Sequence, residues 1–217
     1  MNNDNNIAHE HSHTEFQPDI KEPSKEWEFL EIALRELLIE KEIFSAREIQ
    51  DEIEEWEKKS PEKGAEIIAH AWTHQNYKHR LLENANEAIR DFDVEVDTLK
   101  MVALENTENL HHVVVCTLCS CYPRPILGVP PLWYKSREYR SRVIREPRAV
   151  LKEFGTVLPE STEIRVVDST ADCRYLVIPM RPKETEKMTE AELMRLITRD
   201  SMIGTAQALG PDGKRTS

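Results

Sequence analysis

The sequence predicts an α+β fold, an N-terminal helical arm followed by a mixed α/β globular domain that carries a cysteine-rich metal loop. Three observations predict it. Amphipathic helical patterns run in succession from Lys25 to Asp91. Strand-like patterns begin only after Asp97. Three of the four cysteines fall between Cys116 and Cys121.

Residues 1–24 are polar, with His9, His11 and His13 alternating, and hold too little apolar surface to order themselves. They are expected to form a solvated, weakly metal-binding tail. From Lys25, the residues Trp27, Leu30, Ala33, Leu34, Leu37 and Leu38 recur at spacings of three and four, which predicts a helix to about Lys41. Ser45 followed by Glu48 is a capping-box spacing and opens a second helix with Ile49, Ile53 and Trp56 as its stripe. Ser60 and Pro61 start a third, through about Trp72. A fourth, over Asn76 to Asp91, lines up Tyr77, Leu81, Leu82, Ala85 and Ile89. Dense charge leaves each helix a narrow apolar stripe. Residues 25–97 are therefore expected to form a partner-binding arm, with ordinary core packing as the alternative.

The period then changes. Leu99 to Leu104 and His112 to Cys116 read as strands, the second a Val-Val-Val run leading into the cysteines. Tyr122 to Leu132, interrupted by Pro123, Pro125, Pro130 and Pro131, is expected to lack regular structure. Arg137 to Phe154 is helical, divided near Pro147 and ended by Gly155. Ile164 to Val167 and Arg174 to Ile178 are expected to pair with each other. Thr189 and Glu192 cap a last helix reaching about Arg199. Residues 98–209 thus form the expected metal-binding catalytic domain and 210–217 a C-terminal tail.

Composition excludes some functions. A net charge of −11, from 40 acidic and 29 basic residues, leaves no basic face for nucleic acid. There is no apolar run of about 18 residues, and the N-terminal residues lack the pattern of a secretory signal, so no membrane role and a cytoplasmic location are expected. The cysteines lie too close together for a disulfide framework. They point to metal or redox chemistry.

The segment Cys116-Thr-Leu-Cys-Ser-Cys121 is chemically specific. A structural zinc site would want a second knuckle or a His pair, and Cys173 is the one other thiol. Cys119 and Cys121 flank a single residue. If both sulfurs hold one ion, the amide nitrogens of Ser120 and Cys121 are carried to bonding distance as well. Two amides and two thiolates in a plane, with Cys116 axial, leave a sixth position open. Such a donor set favours low-spin trivalent cobalt or iron, one ion per chain, acting as a Lewis acid.

This motif, with Tyr122-Pro-Arg-Pro-Ile-Leu-Gly128, Pro130-Pro-Leu-Trp-Tyr-Lys-Ser136, Arg145-Glu-Pro-Arg148 and Thr198-Arg-Asp-Ser-Met-Ile-Gly204, resembles the nitrile hydratase α subunit and the related thiocyanate hydrolase γ subunit. The resemblance implies metal ligands at Cys116, Cys119, Ser120 and Cys121, and catalytic positions at Cys119, Ser120 and Cys121. It also implies a sulfinic acid at Cys119 and a sulfenic acid at Cys121. Thr117 and Tyr122 match the cobalt type, with Co(III) as the expected ion and Fe(III) as the alternative. The implied partners are a β-type subunit that completes the site and a metal-insertion activator. Substrate-binding roles are expected for Arg124 and Tyr122. Arg124 stands where many cobalt-type members carry tryptophan, as in thiocyanate hydrolase, and a cation there favours an anionic substrate unless it braces the subunit interface. The short segment Asp91 to Leu110 is nitrile-hydratase-like, whereas Val167 points the other way.

Elsewhere, His111 and His112 read as packed strand residues before catalytic bases. Arg165, Arg174 and Asp168 read as an ion-pair network on opposing strands, and Tyr122 and Trp133 as pocket lining or loop seal. Three functions follow from these readings. The first is hydration of a nitrile to its amide. The second is hydrolysis of thiocyanate to carbonyl sulfide and ammonia. The third is a non-catalytic metal-binding or metallochaperone module.

Overall fold

The computed structural model describes Pro18 and residues 25–96 and 99–215. The reading of His9, His11 and His13 as a metal-binding tail lies outside the described residues. Helix α1 (Lys25–Glu40) buries none of its residues, and Trp27, Phe29, Leu30, Leu34 and Leu37 all stay exposed. Helix α2 (Ala46–Lys58) starts at the expected capping box. The Glu48 N–H donates to Ser45 Oγ at 3.1 Å and the Ser45 N–H donates to the Glu48 carboxylate at 2.7 Å.

Helix α3 (Pro61–Thr73) differs from both, because Ala65, Ile67, Ile68, Ala69, Ala71 and Trp72 lie in the main core. It is followed by α4 (Gln75–Glu83), α5 (Ala85–Ala88) and a 3-10 turn at Ile89–Phe92. The single helix expected over Asn76 to Asp91 is thus split. Asn84 leaves the helical conformation, and its side chain accepts the Glu87 N–H at 3.3 Å to begin a new turn. Tyr77, Leu81, Ala85 and Ile89 still join the core. Burial therefore changes at residues 59–60 rather than at 97. Helices α3 to α5 form a core layer, and α1 and α2 stand outside it.

Among the described residues four short strands follow, β1 (Lys100–Glu105), β2 (Leu110–Val115), β3 (Glu163–Asp168) and β4 (Cys173–Ile178). The expected pairing of the last two with each other is overturned. Strand β1 pairs with β4 and β2 with β3, both parallel, Val115 standing opposite Asp168. Parallel partners need long crossovers, and residues 116–162 supply one between β2 and β3. Residues 169–172 carry the chain from one sheet to the other, and the Lys100 N–H closes on the Asp172 carbonyl at 2.8 Å. Val113, Val114, Leu176 and Val177 are fully buried between the sheets and the helices.

The proline-rich crossover is not wholly irregular. It contains α6 (Arg124–Leu127) and α7 (Leu132–Lys135), because Pro125 lies in the first turn of α6, where a missing N–H is harmless. Helices α8 (Arg137–Arg142) and α9 (Pro147–Glu153) divide at Pro147 as expected. Thr189 and Glu192 cap α10 (Glu190–Met194), but that helix stops early, and a second capping box at Thr198 and Ser201 starts α11 (Arg199–Met202). Just beyond, Gly204 has φ +82° and lies so close to β2 that an added Cβ would sit 1.8 Å from the His112 carbonyl oxygen. Residues 210–215 fold back rather than trail away. Arg215 bridges to Leu209, and its guanidinium donates to the Phe154 carbonyl at 2.6 Å.

Candidate metal centre

The cysteine loop leaves the buried C-terminal end of β2, so its first ligand candidate is anchored by the sheet. Cys116 is buried, Cys121 half-buried and Cys119 exposed. Thr117 fastens the loop to the neighbouring strand, since its N–H and hydroxyl both donate to the Asp168 carboxylate, at 2.9 and 2.5 Å. The Tyr134 hydroxyl donates to the Cys121 carbonyl at 2.8 Å, and the Tyr139 hydroxyl to the Val114 carbonyl at 2.8 Å. Two tyrosines from the crossover therefore hold both ends of the loop. Neither stands out in the sequence, because a buried Tyr looks like any core aromatic until its hydroxyl partner is known.

The three sulfurs converge. Cys116 Sγ and Cys119 Sγ are 3.4 Å apart, and Cys119 Sγ and Cys121 Sγ 3.1 Å. For metal–sulfur bonds of about 2.3 Å, adjacent ligands lie about 3.3 Å apart in an octahedron and about 3.8 Å apart in a tetrahedron. The observed spacings match the octahedral edge, so the donor set fits a six-coordinate ion better than structural zinc. Hydrogen bonds from Cys121 and Cys116, and from the backbone N–H groups of Ser120 and Cys121, pull the Cys119 thiol down to about 7. Burial first, then the contacts with Cys119 and Cys116, push the Cys121 thiol up. Cys119 is thus the thiol of the pair whose deprotonation the surroundings favour. The backbone N–H groups of Ser120 and Cys121 face the Cys119 sulfur.

Cys119, Ser120, Cys121, Tyr122 and Arg124 line one cavity of about 300 Å³ with Trp56, Leu99, Pro125 and Arg174. Arg124 lies 5.7 Å from the centroid of the Trp56 ring, a cation–π approach to the end of α2. Tyr122 is buried edge-on against Tyr134 at 5.0 Å, and burial pushes its hydroxyl well above the usual phenol range. Trp133 packs against Tyr139 and Phe154 and seals the loop. Cys173 on β4 stands apart from the cluster.

The other expectations separate. His111 and His112 are buried and packed. His111 Nε2 donates to the Gly204 carbonyl at 2.7 Å and its Nδ1 meets the Asn106 amide at 3.1 Å, while the His112 N–H donates to Asn106 Oδ1 at 2.8 Å. The expected Arg165–Arg174–Asp168 network does not form. Arg165 pairs with Glu163 at 2.7 Å, Arg174 donates to the carbonyls of Thr170, Ala171 and Cys173, and Asp168 serves Thr117. The reason is topological, because Arg165 and Arg174 belong to different sheets.

The glycine after α6 links this loop to the arm. Gly128, with φ +69°, lies against the α2–α3 junction, and a Cβ there would fall 2.1 Å from the Lys59 carbonyl oxygen.

Comparison with known proteins gives this geometry its context. The family described as nitrile hydratase, alpha chain, matches residues 25–206. The cobalt-containing nitrile hydratase subunit alpha of Pseudonocardia thermophila is 46% identical over 179 residues, 81% of this chain and 88% of that one. Thiocyanate hydrolase subunit gamma of Thiobacillus thioparus is 42% identical over 201 residues, 87% of this chain and 82% of that one. A solved Fe-type nitrile hydratase from Comamonas testosteroni Ni1, a double mutant, superposes with a TM-score of 0.82 at 38% identity, covering 90% of this chain and 96% of that chain. No described helix is long and apolar enough to cross a membrane. With a family match running from the first helix to past the last, and the three cysteines gathered at the end of β2, the chain belongs to the nitrile hydratase alpha-chain family, with thiocyanate hydrolase gamma as a close relative.

Proposed function

We propose that this chain is the metal-carrying subunit of a cytoplasmic nitrile hydratase that, with a β-type subunit, hydrates a small nitrile to its amide. The observation that carries the metal reading is the 3.1 and 3.4 Å spacing of the sulfurs, which suits a six-coordinate trivalent ion, Co(III) first and Fe(III) as the alternative. In this reading Cys116, Cys119 and Cys121 give thiolate-derived donors and Ser120 and Cys121 give amide nitrogens. A trivalent ion held by these residues would supply Lewis acidity toward the substrate or water. The chain's own residues do the rest. The oxidised Cys121 oxygen supplies the nucleophile or base that the addition of water needs. With dioxygen or a peroxide as the oxidant, Cys119, the exposed thiol with the depressed pKa, would take up two oxygen atoms to become the sulfinate and Cys121 one to become the sulfenate, consistent with thiolate character and access controlling oxidation. Tyr122 stays protonated and, with Tyr134, gives the cavity an aromatic wall.

Arg124 bears on the substrate. Its approach to Trp56 engages the guanidinium with α2, which supports a neutral nitrile over an anion. Thiocyanate hydrolysis is the second reading, favoured by the presence of Arg124 and Arg174 in the same cavity wall. The test is co-expression with the partner subunit and a metal-insertion activator, followed by assay with a nitrile and with thiocyanate. Nitrile turnover is expected to dominate, with about one cobalt per chain. Peptide mass spectra should show two added oxygens at Cys119 and one at Cys121. A complex active on thiocyanate alone would overturn the substrate reading. Stoichiometric zinc with three plain thiols in the active enzyme would overturn the metal centre.

A further inference from the structure

The last turn of α3 and the first of α10 bring a second set of ligand atoms together, away from the cysteine loop. Gly64, in the first turn of α3, faces Ile126 and Leu127 of α6, next to the claw formed by Cys116, Cys119 and Cys121. His70 lies in the last turn of α3 and His74 is its C-cap residue, four positions on and on the same face. Glu190 opens α10. We propose that His70, His74 and Glu190 form a second, surface-open site for one divalent late first-row ion, with Zn²⁺ as its natural occupant.

The distances carry the argument. His70 Nδ1 is 3.3 Å from both oxygens of the Glu190 carboxylate, and His74 Nδ1 is 3.1 Å from Oε1. A tetrahedral ion with bonds of about 2.0–2.1 Å holds its ligand atoms about 3.3 Å apart, so the spacings to Glu190 suit an ion once the His74 ring turns toward it. All three ligand atoms lie within 4.8 Å of one another. The His70 ring is held in place, and the exposed His74 ring must turn about its side-chain bonds for both in-plane lone pairs to meet one ion. The two rings stack at 4.0 Å with an interplanar angle of 20°, and Tyr77 and Phe92 hold the His70 ring edge-on at 4.8 and 5.5 Å.

The outer groups fix the set. The Thr73 hydroxyl donates to Glu190 Oε1 at 2.7 Å and also lies 2.9 Å from His74 Nδ1. Trp72 Nε1 donates to the Pro179 carbonyl, and Arg181 donates to the Trp72 carbonyl, which locks the end of α3. Two imidazoles and one carboxylate select Zn²⁺, Co²⁺, Ni²⁺ or Cu²⁺ over Mg²⁺ and Ca²⁺, which want more oxygen donors. His74 and Glu190 are exposed at their tips, which leaves the fourth position to water. An ion there would tie the α3–α4 junction to α10.

The probe is Zn²⁺ titrated into the assembled complex with its cysteine centre already loaded, in a background with His9, His11 and His13 changed to Ala to silence the tail. The expected result is one further zinc per chain with a zinc-dependent rise in Tm. Both effects should weaken by about tenfold or more in His74→Ala and in Glu190→Gln, since each removes a charged or neutral ligand from a three-ligand set. Crystals of the parent soaked in zinc should show an anomalous peak among the three side chains, a readout that needs no variant. Unchanged zinc uptake in both variants, or no uptake by the parent, would show that the cluster is only a hydrogen-bonded cap.

Discussion

Arg124 joins the cavity wall to α2, so its replacement separates the two substrate readings. Arg124→Trp removes a partly exposed cation and should weaken thiocyanate binding by about tenfold while leaving nitrile hydration near the parent rate. Steady-state kinetics on both substrates checks this, and a parallel loss of both activities together with assembly would make Arg124 an interface brace. The histidine pair gives a prediction about pH. Burial is the main cause that lowers both His111 and His112 below the ordinary value of 6.5, so both are neutral when folded and the unfolded chain binds more protons below that pH. Stability contributed by the neutral pair is therefore present above pH 6.5 and falls as pH drops from 6.5 through the folded values, by at most about 1.4 kcal/mol per pH unit for each histidine. Thermal melts from pH 7.5 to 5 should show this decline, and His111→Asn should reduce it. At this scale the claw was legible, because cysteine spacing is written in the sequence. Tyr134, Tyr139 and the role of Asp168 were not, since each depends on a contact between segments far apart in the chain.

Among elements, Gly64 sets the approach of α3 to α6. An added Cβ would meet Leu127, Met202 and Ile126 at 2.7 to 2.9 Å, all through flexible side-chain atoms. Gly64→Val should therefore be folded but overpacked, destabilised by about 1–3 kcal/mol. Calorimetry should find Tm lowered by roughly 3–10 °C, and cobalt content should fall because α6 follows the claw directly. Helix starts were legible wherever a side chain writes them, as Ser45, Ser60 and Thr189 do. Partners were less so. Alternation and β-branching identify a strand by its own residues, whereas the parallel pairing of β2 with β3 is decided by the crossover between them. The break at Asn84 shows the same limit from the other side, since a cap residue inside an apolar stripe does not disturb the stripe.

Across the whole molecule, α1 is a helix without an inside. Trp27, Leu30, Leu34 and Leu37 lie on a helix that buries none of its residues, whereas the core is complete without them. Such a face is expected to be covered by the proposed partner subunit. The double change Trp27→Glu and Leu34→Glu should abolish co-purification of the two subunits while leaving the circular dichroism and melting of this chain nearly unchanged. A stable complex from that variant would show that the arm is not the docking element. The sequence marks the apolar stripe of each helix but not which stripes this chain covers itself, because those of α1 and α3 look alike until burial tells them apart. The contact between Gly128 and Lys59 also limits how the protein can be taken apart. A chimera grafting the arm of one relative onto the body of another would have to take residues 59–60 and 124–128 from the same parent, because the two backbones are fitted to each other with no room for a side chain. Arm and cysteine loop would therefore have to be exchanged as one unit, and directed evolution of the cavity mouth is expected to find compensating changes at the α2–α3 junction.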